Sequence, residues 1–259
     1  MMFRAWLALA ALFCGAARGA APSYSAAGIV NAASFAPGPF APNSIVTIFG
    51  SGLARSTQAL TAGDIHNNTL PAELNYTRVF VMDSPAPLFY VSDGQINFLV
   101  PSNQIAGDVK IRVVREGITG PEVTVTLVDA APAVLLLQTA AGYALTAHAD
   151  NSVIAPDSPA HPGDTIVVYA TGLGKTQPNP ASGEIPQYAA QIQRLSDLKM
   201  SLAGSAVDPV RIKYAGVAPG WAGLYQINLV LPDNLPADPE IRVAIGDHIS
   251  PSGVRLAAR

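Results

Sequence analysis

The sequence contains a single cysteine, Cys14, which lies within its first twenty residues. A chain that loses this segment has no thiol, so it can form neither a disulfide nor a cysteine-ligated metal site. Phe13 stands where a lipoprotein signal normally has a small residue, which argues against lipid attachment at Cys14. We therefore expect a fold that is held by packing alone, and we predict no cofactor and no metal.

Charge is also scarce. Only 13% of the residues are charged, and 18 acids stand against 15 bases. Export would remove Arg4 and Arg18 but no acid, which leaves 13 bases against 18 acids. Nucleic acids and anionic lipids bind clustered Lys and Arg. We therefore expect no nucleic acid as a partner.

The N-terminus has the three zones of a secretory signal, with Arg4 before a short apolar run and Gly19 at the end of a small-residue zone. Gly15 and Arg18 interrupt the run before it reaches the roughly twenty apolar residues that a membrane span needs. We predict a signal peptide over residues 1–20, cleaved near Gly19, with Ala17 as the second choice. The mature protein is then secreted, periplasmic or held at the cell surface, with no transmembrane span.

Helical periodicity is nearly absent. The best helical segment, 188–198, lacks a convincing cap and a long apolar stripe, so we expect a loop with at most a short helical turn. In contrast, 22 glycines and 22 prolines suit many short strands joined by tight turns.

Two blocks of sequence occur twice. Residues 42–53 match 162–173 without a gap, and residues 94–101 match 225–232. A tyrosine precedes the second block in both copies, and the second copy has about seven extra residues between this tyrosine and the block. Apolar and polar residues alternate within the blocks, as in strands with one buried face. A repeat of this kind identifies the structural unit.

These patterns predict an all-β fold of two tandem immunoglobulin-like antiparallel β-sandwich modules after a signal peptide. The first module is expected over residues 27–130 and the second over 131–259. The closing strands of the two copies are predicted at 109–114, 123–127, 240–245 and 253–256.

Five motifs in fixed order carry a family resemblance. They lie at residues 31–35, 49–54, 86–98, 169–174 and 223–228. Together they closely resemble the uncharacterised C-terminal domain family of secreted acidobacterial (Solibacter-type) proteins. Each half also looks like the immunoglobulin-like TIG/IPT modules of cell-surface proteins. The resemblance implies an exported domain with no assigned activity and no catalytic residues.

The sequence Gly-Leu-Gly-Lys-Thr at 172–176 is similar to a phosphate-binding loop. Tyr169 stands where that loop requires its first glycine, so we expect a simple strand-exit turn. His148 and Asp150 could share a turn with a cation.

Other catalytic patterns are missing from the sequence. The sequence has no Gly-x-Ser-x-Gly elbow of a serine hydrolase and no His-Glu-x-x-His motif of a zinc protease. A glycosidase uses two carboxylates, but the eighteen acidic residues allow many pairs and the sequence singles out none of them. We therefore predict that the protein is not an enzyme.

Five residues are candidate ligand contacts. Trp221 lies in the extra loop of the second copy, and an aromatic residue on a flexible loop tip is a plausible contact. The amides of Gln95, Asn97, Gln226 and Asn228 could bind sugar hydroxyls, although such amides more often bond loop backbone.

Two roles are possible for three of the tyrosines. Tyr90, Tyr214 and Tyr225 could form a stacking platform, or they could anchor the sandwich through their hydroxyls.

The sequence thus favours an exported, non-catalytic binding or adhesion module whose partner is a cell-surface or extracellular polysaccharide or a protein. A structural spacer or assembly module is the first alternative, and a secreted polysaccharide hydrolase is the second. The sequence does not indicate an oligomeric state.

Overall fold

The computed structural model of the protein describes residues 19–259. The predicted signal peptide, 1–20, lies outside these residues except for Gly19 and Ala20. Within 19–259, no helix is both long and apolar enough to cross a membrane.

The described chain consists almost entirely of short strands in antiparallel sheets, which confirms the all-β prediction. The first ten strands are β1 Ser23–Asn31, β2 Ile45–Ser51, β3 Gln58–Ala59, β4 Thr77–Val81, β5 Ser84–Ala86, β6 Leu88–Val91, β7 Gln95–Leu99, β8 Gly107–Arg115, β9 Ile118–Thr119 and β10 Val123–Leu127. The next twelve are β11 Ala133–Val134, β12 Thr146–His148, β13 Val153–Ile154, β14 Thr165–Thr171, β15 Thr176–Gln177, β16 Gln191–Ile192, β17 Leu198–Leu202, β18 Ser205–Ala206, β19 Ile212–Val217, β20 Tyr225–Val230, β21 Ile241–Ile245 and β22 His248–Ile249. Single 3-10 turns occur at Ala62–Asp64, Leu195–Asp197 and Pro209–Arg211.

The strands form four sheets. The first sheet pair contains β1-β2-β7-β6-β3 and β10-β8-β4-β5, with β9 beside β8. The second sheet pair contains β13-β12-β14-β20-β19-β16-β15, with β11 beside β14, and β18-β17-β21-β22. Each pair encloses its own apolar core: Ile48, Phe98 and Ile111 are buried in the first, and Ile227 and Val243 in the second. Burial of these side chains supplies the main favourable free energy of folding.

The repeat seen in the sequence is reproduced in the strand register. Thr47 pairs with Asn97 across β2 and β7, and Val167 pairs with Asn228 across β14 and β20. The strand before the second block carries a register shift at the same place in both copies, immediately before Tyr90 in β6 and Tyr214 in β19. The extra residues of the second copy lengthen β19 and form the loop before β20.

One predicted strand is wrong. Residues 253–256 form no strand, and β21 pairs with β17 on one side and β22 on the other. Arg255 makes single bridges to Tyr143 on one side and Glu240 on the other. Only Arg255 forms a bridge on either side, so neither bridge extends into a ladder. The segment 188–198 contains β16 and one 3-10 turn, in agreement with the expected loop.

The two sheet pairs meet at a small apolar cluster. Leu70 and Leu99 of the first pair pack there with Ala222, and Ile45, Phe89 and Ile185 pack around them. The hydroxyl of Thr171 also bridges the pairs: it accepts a hydrogen bond from the Ile45 N–H at 3.1 Å and donates one to the Gly223 carbonyl at 3.0 Å. This junction positions the loops of the candidate site.

Candidate binding surface

Three loops at the junction form one continuous surface, here called the three-loop surface and made of residues 66–69, 184–188 and 218–222. The first loop belongs to the first sheet pair and the other two to the second. The Ile185 N–H donates to the Asn68 carbonyl at 2.9 Å, and the Gly220 N–H donates to the Pro186 carbonyl at 2.7 Å. Backbone hydrogen bonds therefore join all three loops.

Two aromatic side chains project from this surface. The exposed fraction is 66% for Trp221 and 83% for Tyr188. Because the Gly220–Pro186 hydrogen bond joins their loops next to them, the two rings belong to neighbouring segments. Tyr188 was not among the predicted contacts. The sequence signal that could have found it is an aromatic residue in a loop, close after a proline.

The loop that carries Trp221 is anchored. Ala222, the next residue, is buried in the junction cluster. Gly223 has a φ of +76°, and a Cβ atom there would lie 2.4 Å from Cδ1 of Leu99. Only glycine allows this close approach between the two sheet pairs, so the base of the loop next to Trp221 is packed against the first pair.

Amide side chains form hydrogen bonds between the first two loops, and the three-loop surface carries little charge. The Asn68 side chain donates to the Ile185 carbonyl at 2.6 Å, and the Gln187 side chain donates to the Asn68 side-chain oxygen at 2.9 Å. The three loops contain no Lys or Arg, and besides Tyr188 their ionisable side chains are His66 and Glu184. The surface offers aromatic faces and amide groups in a neutral setting.

Gln95 and Asn97 lie on the outer face of the first sheet pair, apart from the three-loop surface. The Gln95 amide donates to Oδ1 of Asn97 at 2.8 Å, and the Thr47 hydroxyl donates to the same oxygen at 3.0 Å. Their hydrogen bonds therefore go to neighbouring strand side chains, in contrast to the loop backbone expected from the sequence.

Gln226 and Asn228 occupy the equivalent positions in β20. Oδ1 of Asn228 is buried and has no hydrogen-bond partner within the described chain. Val167 stands where the first copy has Thr47, so the second copy has no hydroxyl to donate.

The tyrosine anchors are confirmed for two of the three residues. The Tyr214 hydroxyl donates to the carbonyls of Ala190 and Val217, at 3.2 and 2.9 Å. The Tyr225 hydroxyl is fully buried and donates to the Gly174 carbonyl, and burial raises the pKa of this phenol above its ordinary value. The Tyr90 hydroxyl makes no hydrogen bond within residues 19–259.

The predicted strand-exit turn at 172–176 is confirmed. It follows β14 and leads into β15, so no helix N-terminus is available to bind a phosphate.

The turn at His148 and Asp150, which could have shared a cation, is closed by hydrogen bonds. Oδ1 of Asp150 accepts hydrogen bonds from the N–H and hydroxyl of Ser152, at 2.9 and 2.6 Å, and these bonds lower the pKa of the Asp150 carboxyl. Across residues 19–259, no three His, Cys, Asp or Glu side chains are grouped to hold a metal ion.

Comparisons with known proteins bear on the fold. Residues 29–127 match the profile of the IPT/TIG domain family. No curated protein sequence matches the chain.

Solved structures give weak superpositions. One is the Bacteroides ovatus mixed-linkage glucan utilization locus SGBP-B, solved with a mixed-linkage heptasaccharide: identity is 9%, the TM-score is 0.32, and the match covers 84% of this chain and 44% of that one. Another is the surface glycan-binding protein PbSGBP-B from Prevotella bryantii, with 12% identity, a TM-score of 0.26, and coverage of 90% and 42%. A third is the gamma-CGTase of the alkalophilic Bacillus clarkii, with 12% identity, a TM-score of 0.24, and coverage of 84% and 24%.

The chain thus spans less than half the length of each of these proteins. Identities and TM-scores of this size do not carry a ligand or an activity to this chain. The family match concerns the fold: residues 29–127, within an all-β antiparallel architecture, resemble an IPT/TIG immunoglobulin-like module.

Proposed function

We propose that the protein is an exported, non-catalytic module that binds a polysaccharide at the three-loop surface. The observation that carries the proposal is the pair of exposed rings, Trp221 and Tyr188, on loops joined by the hydrogen bond from Gly220 to Pro186. Trp and Tyr contribute large, rigid contact area and dominate many binding surfaces.

The surroundings of the rings favour a sugar over a protein. Flat aromatic faces pack against the C–H face of a pyranose, and amides such as those of Asn68 and Gln187 can both donate to and accept from hydroxyls. The absence of Lys and Arg from the three loops suits an uncharged ligand. Because the loops are already tied together, little conformational entropy is lost when a ligand binds.

The test is binding to a panel of soluble and insoluble polysaccharides by the parent and by Trp221→Ala and Tyr188→Ala. Loss of a central aromatic contact costs about 2 kcal/mol, or roughly thirtyfold in Kd. Tyr76→Ala is the matched control, since Tyr76 is 70% exposed but lies outside the three loops. Thermal unfolding of each variant checks that the fold is retained.

Three outcomes would contradict the proposal. The folded parent could bind no polysaccharide, the Trp221 and Tyr188 variants could bind as well as the Tyr76 variant, or the parent could release reducing sugar. Capture of a protein partner that depends on Trp221, without polysaccharide binding, would assign the surface to a protein instead. If the protein keeps its biological function after both aromatic substitutions, the result would favour a structural spacer over a binding module.

Export and the module boundary belong to the same proposal. Cleavage near Gly19 would leave Ala20 at the N-terminus, where the Arg115 guanidinium donates to the Ala20 carbonyl at 2.6 Å. N-terminal sequencing of the exported chain tests this site. The separate cores of the sheet pairs support modules at 27–130 and 131–259.

A further inference from the structure

A recess opens on the junction of the two sheet pairs, outside the three-loop surface. It is a cleft of about 310 Å³, within the range of small-molecule sites. Its walls come from both sheet pairs. They include Gln104, Ile105 and Asp129 of the first, and Gly174, Lys175 and Arg194 of the second.

The cleft contains one cation without an acidic partner. Arg194 is paired with Asp197 at 2.8 Å. Lys175 forms no ion pair with any acid in the described chain, although the protein carries more acids than bases. An ammonium in this position attracts a carboxylate and can donate up to three hydrogen bonds to it.

The backbone that carries Lys175 is fixed in place. Gly174 has a φ of +86°, and a Cβ atom there would lie 2.4 Å from the Asp129 carbonyl oxygen. The buried Tyr225 hydroxyl donates to the Gly174 carbonyl, and the Gln193 N–H donates to the Lys175 carbonyl at 2.9 Å. The backbone of Lys175 is thus held beside the first sheet pair before any ligand arrives, which places the base of its side chain at the cleft.

We propose that this cleft binds a sugar residue that carries a carboxylate, a uronic acid. Lys175 donates to the carboxylate, and the Asp129 carboxylate and the side-chain oxygen of Gln104 accept from ring hydroxyls. The Gln104 Nε2 already donates to Ser84 and Asn103, at 3.0 and 3.2 Å. Ile105, which is 75% exposed, offers an apolar wall to the ring. The Asp129 carboxylate accepts hydrogen bonds from hydroxyls, so a ligand that carries hydroxyls beside its carboxylate gains contacts that a bare anion lacks.

The inference stands independently of the three-loop surface, because no residue is shared between the two. The experiment is an NMR titration of the ¹⁵N-labelled full chain with D-glucuronate, D-glucose and acetate. We expect glucuronate to shift the amide signals of Gly174, Lys175 and Gln193, and to bind at least tenfold more tightly than either comparison compound. The affinity should fall as salt is added.

Variants separate this site from the first. Lys175→Gln should weaken glucuronate binding about tenfold or more, while Lys199→Gln, on an exposed position of β17 outside the cleft, should bind like the parent. Trp221→Ala should also bind glucuronate like the parent, so the test of this cleft is independent of the test of the three-loop surface. Equal binding of glucuronate and glucose, equal binding of glucuronate and acetate, or unchanged binding by Lys175→Gln would overturn the assignment.

Discussion

Thr47 donates a hydrogen bond of 3.0 Å to Oδ1 of Asn97, and the second repeat lacks this bond because Val167 replaces the threonine. The equivalent oxygen, Oδ1 of Asn228, is buried without a partner in the described chain. A buried acceptor without a donor costs about 1–3 kcal/mol. The two copies therefore share a register but differ in how well their central amide is satisfied.

Val167→Thr should stabilise the protein by about 0.5–1.5 kcal/mol, since the new hydroxyl lies opposite Asn228 and can supply the missing donor. The converse change, Thr47→Val, removes one donor from Asn97 and should destabilise by about 1 kcal/mol. Urea unfolding of both variants measures the effect. A loss of stability in Val167→Thr would show that Asn228 needs no donor from β14.

Gly223→Ala should destabilise the junction strongly. A left-handed φ costs an alanine about 1–2 kcal/mol, and overpacking against Leu99 adds about 1–3 kcal/mol. Gly204→Ala is the matched control, because Gly204 has a φ of +78° and no atom within 4 Å of the added Cβ. The difference between the two free energies of unfolding isolates the packing. Equal values would mean that the loop does not press against Leu99.

Arg115→Met should lower the free energy of unfolding by about 2–3 kcal/mol. Arg115 is buried, and its guanidinium donates to the carbonyls of Gly52 and Ala20, at 2.5 and 2.6 Å. Arg78→Met serves as the comparison, since Arg78 is exposed and paired with Glu73, where a loss under 1 kcal/mol is expected. Similar losses in the two variants would rule out a structural role for the buried guanidinium.

The buried Tyr225 hydroxyl makes stability depend on alkaline pH. Its pKa is raised above the ordinary 10.0, so the folded state keeps a proton that the unfolded state releases. This contribution is complete below pH 10 and is lost as the pH rises through the folded-state pKa. The stability of the parent should therefore fall more steeply above pH 10 than that of Tyr225→Phe. Parallel pH profiles would contradict this assignment.

Sequence patterns predicted much of the fold because period-two alternation and the repeat depend on local residues. The paired blocks became β2 with β7 and β14 with β20, in the same register. Residues 253–256 show the limit: their alternation is strand-like, but only Arg255 forms bridges, to Tyr143 and Glu240. Whether a segment meets a partner along its whole length depends on tertiary structure, which the local pattern does not encode.

The candidate sites were less predictable. Trp221 could be selected from its loop, yet Tyr188 is more than thirty residues away in sequence and Asn68 more than a hundred. Only the packing of the sheet pairs joins these loops. Likewise, Lys175 stood in a motif that resembles a phosphate loop, and its position in a cleft depends on Asp129 from the other sheet pair.

The most direct test of the central claim uses the fluorescence of Trp221. The proposed cleavage near Gly19 would remove Trp6 and leave Trp221 as the one tryptophan of residues 20–259. In titrations with a bound polysaccharide, we predict a blue shift of its emission and protection from acrylamide quenching, both weakened by Tyr188→Ala. Saturating polysaccharide binding with unchanged emission and unchanged quenching would show that the three-loop surface is not where the ligand binds.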